Sequence, residues 1–150
     1  MTTFLRLSAL ATLLFSVSVA QAQPDRNASP RATLDVAGDL AEVSIQAGGN
    51  DRVAVQGSGC SGYITNTAPN GAVMWSGSGA LSIYAVSGED ATIVVSDPDG
   101  RFHCSDDANG SNPAVTIAQA KSGRYLVWVG LWEPGTAGAT LKAKGGQPAW

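Results

Sequence analysis

The sequence predicts an all-β fold, a jelly-roll-like antiparallel β-sandwich of about eight to nine short strands. Apolar and polar residues alternate with period two in short runs between about residues 31 and 146. Glycine, asparagine, aspartate and proline separate these runs, as they do at turns between strands. Beyond residue 22, no segment keeps apolar residues at helical spacing over three turns, and the 18 glycines of the chain disfavour long helices.

Residues 1–22 have the pattern of a cleaved signal peptide. Arg6 precedes an apolar run from Leu7 to Ala20, and Ala20-Gln21-Ala22 forms an A-x-A cleavage signature. The run is shorter than the ~20 apolar residues that span a bilayer, and no basic stop-transfer flank follows it. We therefore expect an exported protein, periplasmic or secreted, whose mature chain begins at Gln23 and has no transmembrane segment.

The mature chain is long enough for one domain with a single core. Residues 23–30 are polar, contain two prolines and lack periodicity, which predicts a flexible leader. The strand pattern then predicts a sandwich domain over 31–146, followed by a short tail at 147–150.

The alternating runs follow one another in a regular order. They are ATLDVAG, AEVSIQA, DRVAVQG, AVMWS, ALSIYAV, ATIVVSD, PAVTIAQ, RYLVWVG and ATLKAK. Asp97-Pro98-Asp99-Gly100 is a strong β-turn signal, because proline sets φ at the second position and glycine accepts positive φ at the end. The runs ATIVVSD and RFHCSDD on either side should therefore form a hairpin.

The strand from Arg124 to Val129 is apolar on both faces. Such a strand is either central and covered on both faces, or it presents an aromatic side chain to solvent. In the second case Trp128, together with Trp132, would form a binding face. Both readings stay open at this point.

Export determines how the two cysteines are interpreted. In an oxidising compartment, a pair of thiols is more often a structural bridge than a nucleophile or a ligand set. We therefore expect a Cys60–Cys104 disulfide, which closes a loop of about 45 residues and is worth about 4 kcal/mol in the chain-entropy model.

The charge of the mature chain restricts its partners. Without Arg6 it has eight basic and twelve acidic side chains, a net charge of −4. Such a surface repels phosphate, so nucleic acid and anionic membranes are not expected partners.

Three segments of the chain resemble the bacterial pre-peptidase C-terminal (PPC) domains and their stand-alone secreted relatives. These are Asp97–Asp107 (DPDGRFHCSDD), Asn112-Pro113 and Ser122–Gly130 (SGRYLVWVG), and weaker similarity extends the match to residues 31–144. The resemblance implies an exported jelly-roll-like sandwich of a kind often attached to secreted peptidases and sometimes binding calcium or an extracellular polymer. No peptidase lies beside it in this chain, so no peptidase activity is transferred.

Oxygen-bearing side chains cluster on both sides of the predicted hairpin and in the loop after it. Calcium prefers such ligands, and the candidate ligands are Asp97, Asp99, Asp106, Asp107, Asn109 and Asn112. The same residue types are common in turns, and the spacing is not that of an EF-hand loop. Calcium is the one cofactor that the sequence raises.

The sequence offers little for catalysis. His103 is the only histidine, and its neighbours Ser105 and Asp106 are not placed for proton transfer by adjacency in sequence. Because strand neighbours alternate, His103 should point outward if Cys104 points inward. No G-x-S-x-G elbow or zinc ligand set is present, so we predict no catalytic residue.

The leading prediction is therefore a monomeric, non-catalytic exported module that binds an extracellular polymer or an exported protein. The alternatives are a small secreted hydrolase associated with a peptidase, and a structural protein of the envelope.

Overall fold

The computed structural model describes residues 23–55 and 59–150. The predicted signal peptide, residues 1–22, lies outside the described residues. Eleven strands in two sheets, without a helix in the described part of the chain, confirm the all-β sandwich. Accordingly, no helix there is long and apolar enough to cross a membrane.

The strands are, in order, β1 (Thr33–Val36), β2 (Ala41–Gly49), β3 (Asp51–Arg52), β4 (Tyr63–Ile64), β5 (Gly71–Trp75), β6 (Leu81–Ser87), β7 (Ala91–Ser96), β8 (Phe102–Ser105), β9 (Ala114–Ile117), β10 (Gly123–Leu131) and β11 (Gly135–Gly145). Two strands, β4 and β8, lie outside the nine alternating runs, and β8 is the predicted hairpin partner of β7. Of the third run, DRVAVQG, only Asp51 and Arg52 pair in a sheet, and they pair with β4.

Strand β10 lies at the centre of the first sheet. It pairs with β5 and β4 along one edge and with β7 along the other, and β8 continues the sheet beyond β7. The second sheet has the order β2-β11-β6-β9. One pairing departs from the predicted antiparallel arrangement, because β1 runs parallel to β5.

The main core lies between the two sheets. Ile83 of β6 and Leu141 of β11 face Val95 of β7 and Val127 of β10, and all four side chains are fully buried. The alternation seen in the sequence is the cause, since every second residue of a strand points to the same face.

A second, smaller apolar cluster covers the outer face of the first sheet. Trp128, Leu126 and Val94 point to this face and pack with Ile64 and Val53. The central strand β10 is therefore covered on both sides, which explains why its sequence is apolar at successive positions.

A disulfide lies beside this outer cluster. Cys60 and Cys104 are bonded, as predicted, with their Cα atoms 6.2 Å apart. Cys104 lies on β8 and packs against the second cluster, whereas Cys60 lies in the loop before β4 rather than on a strand. The bridge thus ties Cys60, in the segment before β4, to β8 beside the outer cluster.

Both ends of the described chain pack against the sandwich. In the segment predicted as a flexible leader, Asp25 N donates to Asn66 O at 3.0 Å, and Pro24 is buried. At the other end, the Tyr84 hydroxyl donates to Ala149 O at 2.9 Å, and the Trp150 ring lies 5.1 Å from the Tyr84 ring. The tail therefore covers part of the outer face of the second sheet.

Candidate functional site

The structure places the predicted site residues at opposite ends of the sandwich. The predicted hairpin is present, with β7 and β8 joined by the turn at 97–101. Asp97 and Asp99 lie in this turn, which we call the turn end. Asp106, Asp107 and Asn109 follow β8 at the other end, about 13 Å away along the strand.

The turn is built as its sequence predicts. Gly100 N donates to Asp97 O at 2.9 Å, and Gly100 has a φ of 86°, a conformation that favours glycine. Asp97 N also donates to Arg101 O at 2.9 Å, which closes the hairpin.

Of the two carboxylates at the turn end, Asp97 makes more hydrogen bonds than Asp99. Its side chain is 5% exposed and lies 2.9 Å from His103 Nε2, while Arg101 donates from both its backbone N and its Nε. Burial raises the pKa of Asp97, but the hydrogen bonds from His103 and Arg101 outweigh it, so the pKa lies below its ordinary value. Asp97 therefore stabilises the hairpin as an ionised group.

Asp99 is also neutralised within the chain. Lys121 Nζ lies 2.7 Å from Asp99 Oδ2, and Arg101 lies 3.4 Å from the same oxygen. The turn end thus pairs its two carboxylates with cations of its own.

The candidate calcium ligands do not form one group. Across the described residues, no three Asp, Glu, His or Cys side chains come together in an arrangement that could hold a metal ion. Asp106 instead accepts a hydrogen bond from Ser61 N at 3.3 Å, beside the disulfide. Calcium binding itself stays a prediction.

His103 lies on the opposite face from the one expected. It pairs with Val95, whose side chain is in the main core, whereas Cys104 pairs with Val94 of the outer cluster. The two neighbouring side chains do point to opposite faces of the sheet. Because Cys104 faces the outer cluster, His103 points to the inner face, at the rim between the two sheets. Within the described chain its only side-chain partner is Asp97, and no hydroxyl is bonded to it.

The two tryptophans offered as a binding face have different environments. Trp128 is fully buried, its Nε1 donates to Asn66 O at 3.1 Å, and its ring lies 6.3 Å from the Phe102 ring. Of the two readings of this strand, the covered one therefore holds for Trp128, which lies in the outer cluster. Trp132 is 49% exposed.

Trp132 borders a cleft of about 280 Å³ at the other end of the sandwich. Trp132 N donates to Asp90 O at 2.8 Å, which joins the loop after β10 to the loop between β6 and β7. Leu131, Pro134 and Ala137 supply most of the remaining apolar wall. We call this the cleft end.

The cleft end is acidic. Glu89, Asp90 and Glu133 line the cleft and are exposed. The neighbouring loop at 106–113 adds Asp106 and Asp107, and it is tied to the same end by a 3.1 Å hydrogen bond from Ala91 N to Ser111 O. None of these five carboxylates forms an ion pair with another described residue.

The sequence indicated Trp132 as a candidate binding residue but did not predict which residues lie around it. In the sequence, Glu89 and Glu133 are isolated glutamates, 44 positions apart, and no pattern selects either. The pairing of Leu131 with Ala91 brings their loops together.

No family model matches the chain, and no curated protein matches its sequence. The solved structures that match this chain include a lysozyme inhibitor and a pre-peptidase C-terminal domain. PliG of Aeromonas hydrophila, a periplasmic inhibitor of g-type lysozyme, is 13% identical, with a TM-score of 0.46 over 77% of this chain and 98% of its own. The pre-peptidase C-terminal domain of the Bacillus anthracis collagenase is 15% identical, with a TM-score of 0.43 over 79% of this chain and 99% of its own.

Proposed function

We propose that this chain is an exported binding module that contacts its partner through the cleft end and performs no chemistry on it. The observation that carries this proposal is the exposed Trp132 at the mouth of an apolar cleft. A half-exposed tryptophan leaves apolar surface in contact with water, and burying that surface against a partner is favourable. Aromatic residues also dominate the energetics of binding surfaces.

Two features support export and the absence of catalysis. The Cys60–Cys104 bridge fits an oxidising compartment, in agreement with the signal-peptide pattern. His103 belongs to the turn end and is engaged by Asp97, far from the cleft. The sequence resemblance to secreted PPC-type modules agrees with an accessory role, and membership of that family is part of this proposal.

Site-specific photo-crosslinking in the host that encodes the protein tests the binding face. A benzoylphenylalanine replaces Thr136, which is exposed beside the cleft, and a matched control replaces Ser44, which is exposed elsewhere on the second sheet. We expect one dominant adduct from position 136, identified by mass spectrometry, that is absent from position 44. Trp132→Ala in the same chain should abolish it.

An adduct of equal yield from both positions, or no adduct from position 136, contradicts the proposed binding face. Catalysis is tested on the purified protein with casein and short-chain esters. Turnover that His103→Ala abolishes without unfolding the protein would favour the hydrolase alternative instead.

A further inference from the structure

We infer that the partner is a protein that presents a basic segment, with lysine or arginine side chains, to the Trp132 cleft. This inference rests on the proposed function and adds the chemistry of the occupant. It draws on the apolar wall of the cleft and on the distribution of charge between the two ends of the sandwich.

The cleft wall suits a long cationic side chain. Leu131, Pro134 and Ala137 can cover the methylene stem, since lysine and arginine bury their stems against apolar surface while the charge stays at the rim. The exposed face of Trp132 attracts a cation through the ring quadrupole.

The rim supplies the complementary charge. The loops at 88–90, 106–113 and 132–134 contain five carboxylates and no lysine or arginine. At the turn end, Lys121 and Arg101 neutralise the carboxylates, so a cation from outside gains most at the cleft end.

One cation of the first sheet, Arg52, lies against an aromatic ring. Arg52 lies on β3, separated from β10 by β4, and its guanidinium sits 6.0 Å from the centre of the Tyr63 ring. A metal ion is the rival occupant, but the described residues bring no three carboxylates together for one.

The test uses two twelve-residue peptides, one alternating glycine with lysine and one alternating glycine with glutamate. Binding to the isotope-labelled, oxidised protein is followed by amide and indole NMR shifts. We expect the lysine peptide alone to bind, with shifts centred on Trp132, Glu89 and Glu133. Raising the salt from about 20 to 300 mM should weaken it, because exposed charges are screened.

Charge removal at each end provides the matched comparison. Glu89→Gln with Glu133→Gln should weaken lysine-peptide binding about four- to twenty-fivefold, since each surface ion pair is worth about two- to fivefold. Asp35→Asn with Asp39→Asn removes the same charge from exposed positions away from the cleft and should change affinity less than twofold. All four side chains are exposed, so both variants should keep the parental melting temperature.

Equal weakening by the two double variants, or shifts centred away from Trp132, would overturn the inference. Calcium chloride or a neutral oligosaccharide that binds the cleft where the lysine peptide does not would also overturn it. The proposed function is judged separately. An adduct at position 136 that survives Glu89→Gln with Glu133→Gln rejects only the basic partner, whereas a missing adduct rejects the binding face.

Discussion

Removing the disulfide is the perturbation whose size the structure defines most directly. The bridge joins residues 44 positions apart, and closing a loop of that length lowers the entropy of the unfolded chain by an amount worth about 4 kcal/mol at 25 °C. For a domain of this size, each kcal/mol shifts the unfolding midpoint by about 3–5 °C, so Cys60→Ser with Cys104→Ser should lower it by about 10–20 °C.

The structure also predicts which part of the protein opens first when the bridge is removed. The bridge joins Cys60 to β8, whose Cys104 packs against the cluster of Trp128, so β8 and the segment around Cys60 should open first, while Leu141 in the second sheet should stay protected. Thermal unfolding followed by circular dichroism gives the global change, and hydrogen exchange of the Trp128 indole gives the local one. Reducing the parental protein serves as the chemical control.

Two results would refute this reasoning. A midpoint that falls by less than about 3 °C would mean that the bridge hardly restricts the unfolded chain. Faster exchange throughout both sheets, rather than at β8 and the segment around Cys60, would mean that the outer cluster is not a separate layer held by the bridge.

Three further predictions concern single positions. Trp128→Ala should cost about 3–5 kcal/mol of unfolding free energy, whereas Trp132→Ala should cost less than about 1 kcal/mol, because only the first empties a packed site; equal costs in urea titrations would contradict the assigned burial. Asp97→Asn should destabilise the protein by about 1–3 kcal/mol at pH 7. Because the folded-state pKa of Asp97 is lowered, its contribution is present above the unfolded-state pKa of about 4 and is lost as the pH falls through the folded value; a variant with the parental acid-unfolding curve would contradict this role. Mass spectrometry of protein from its own host should place the mature N-terminus at Gln23, and an intact Met1 would exclude cleavage.

Local sequence rules were sufficient for much of the fold. Period-two alternation identified most strands, and Asp97-Pro98-Asp99-Gly100 located the β7–β8 hairpin, because both signals involve residues close together in the chain. The disulfide followed from the small number of cysteines and the expected compartment. In each case a few neighbouring residues, or a single possible pair, carry the information.

The tertiary structure decided which residues are available for binding. Trp128 and Trp132 are four positions apart on one apolar stretch, yet one is fully buried and the other is 49% exposed. Alternation assigns a side chain to a face but does not reveal what covers that face. Here Val53 and Val55, which are far from Trp128 in the sequence, belong to the cluster that buries it. Likewise, Glu89 and Glu133 flank one cleft because β7 and β10 pair in the sheet, a long-range register that no local pattern encodes.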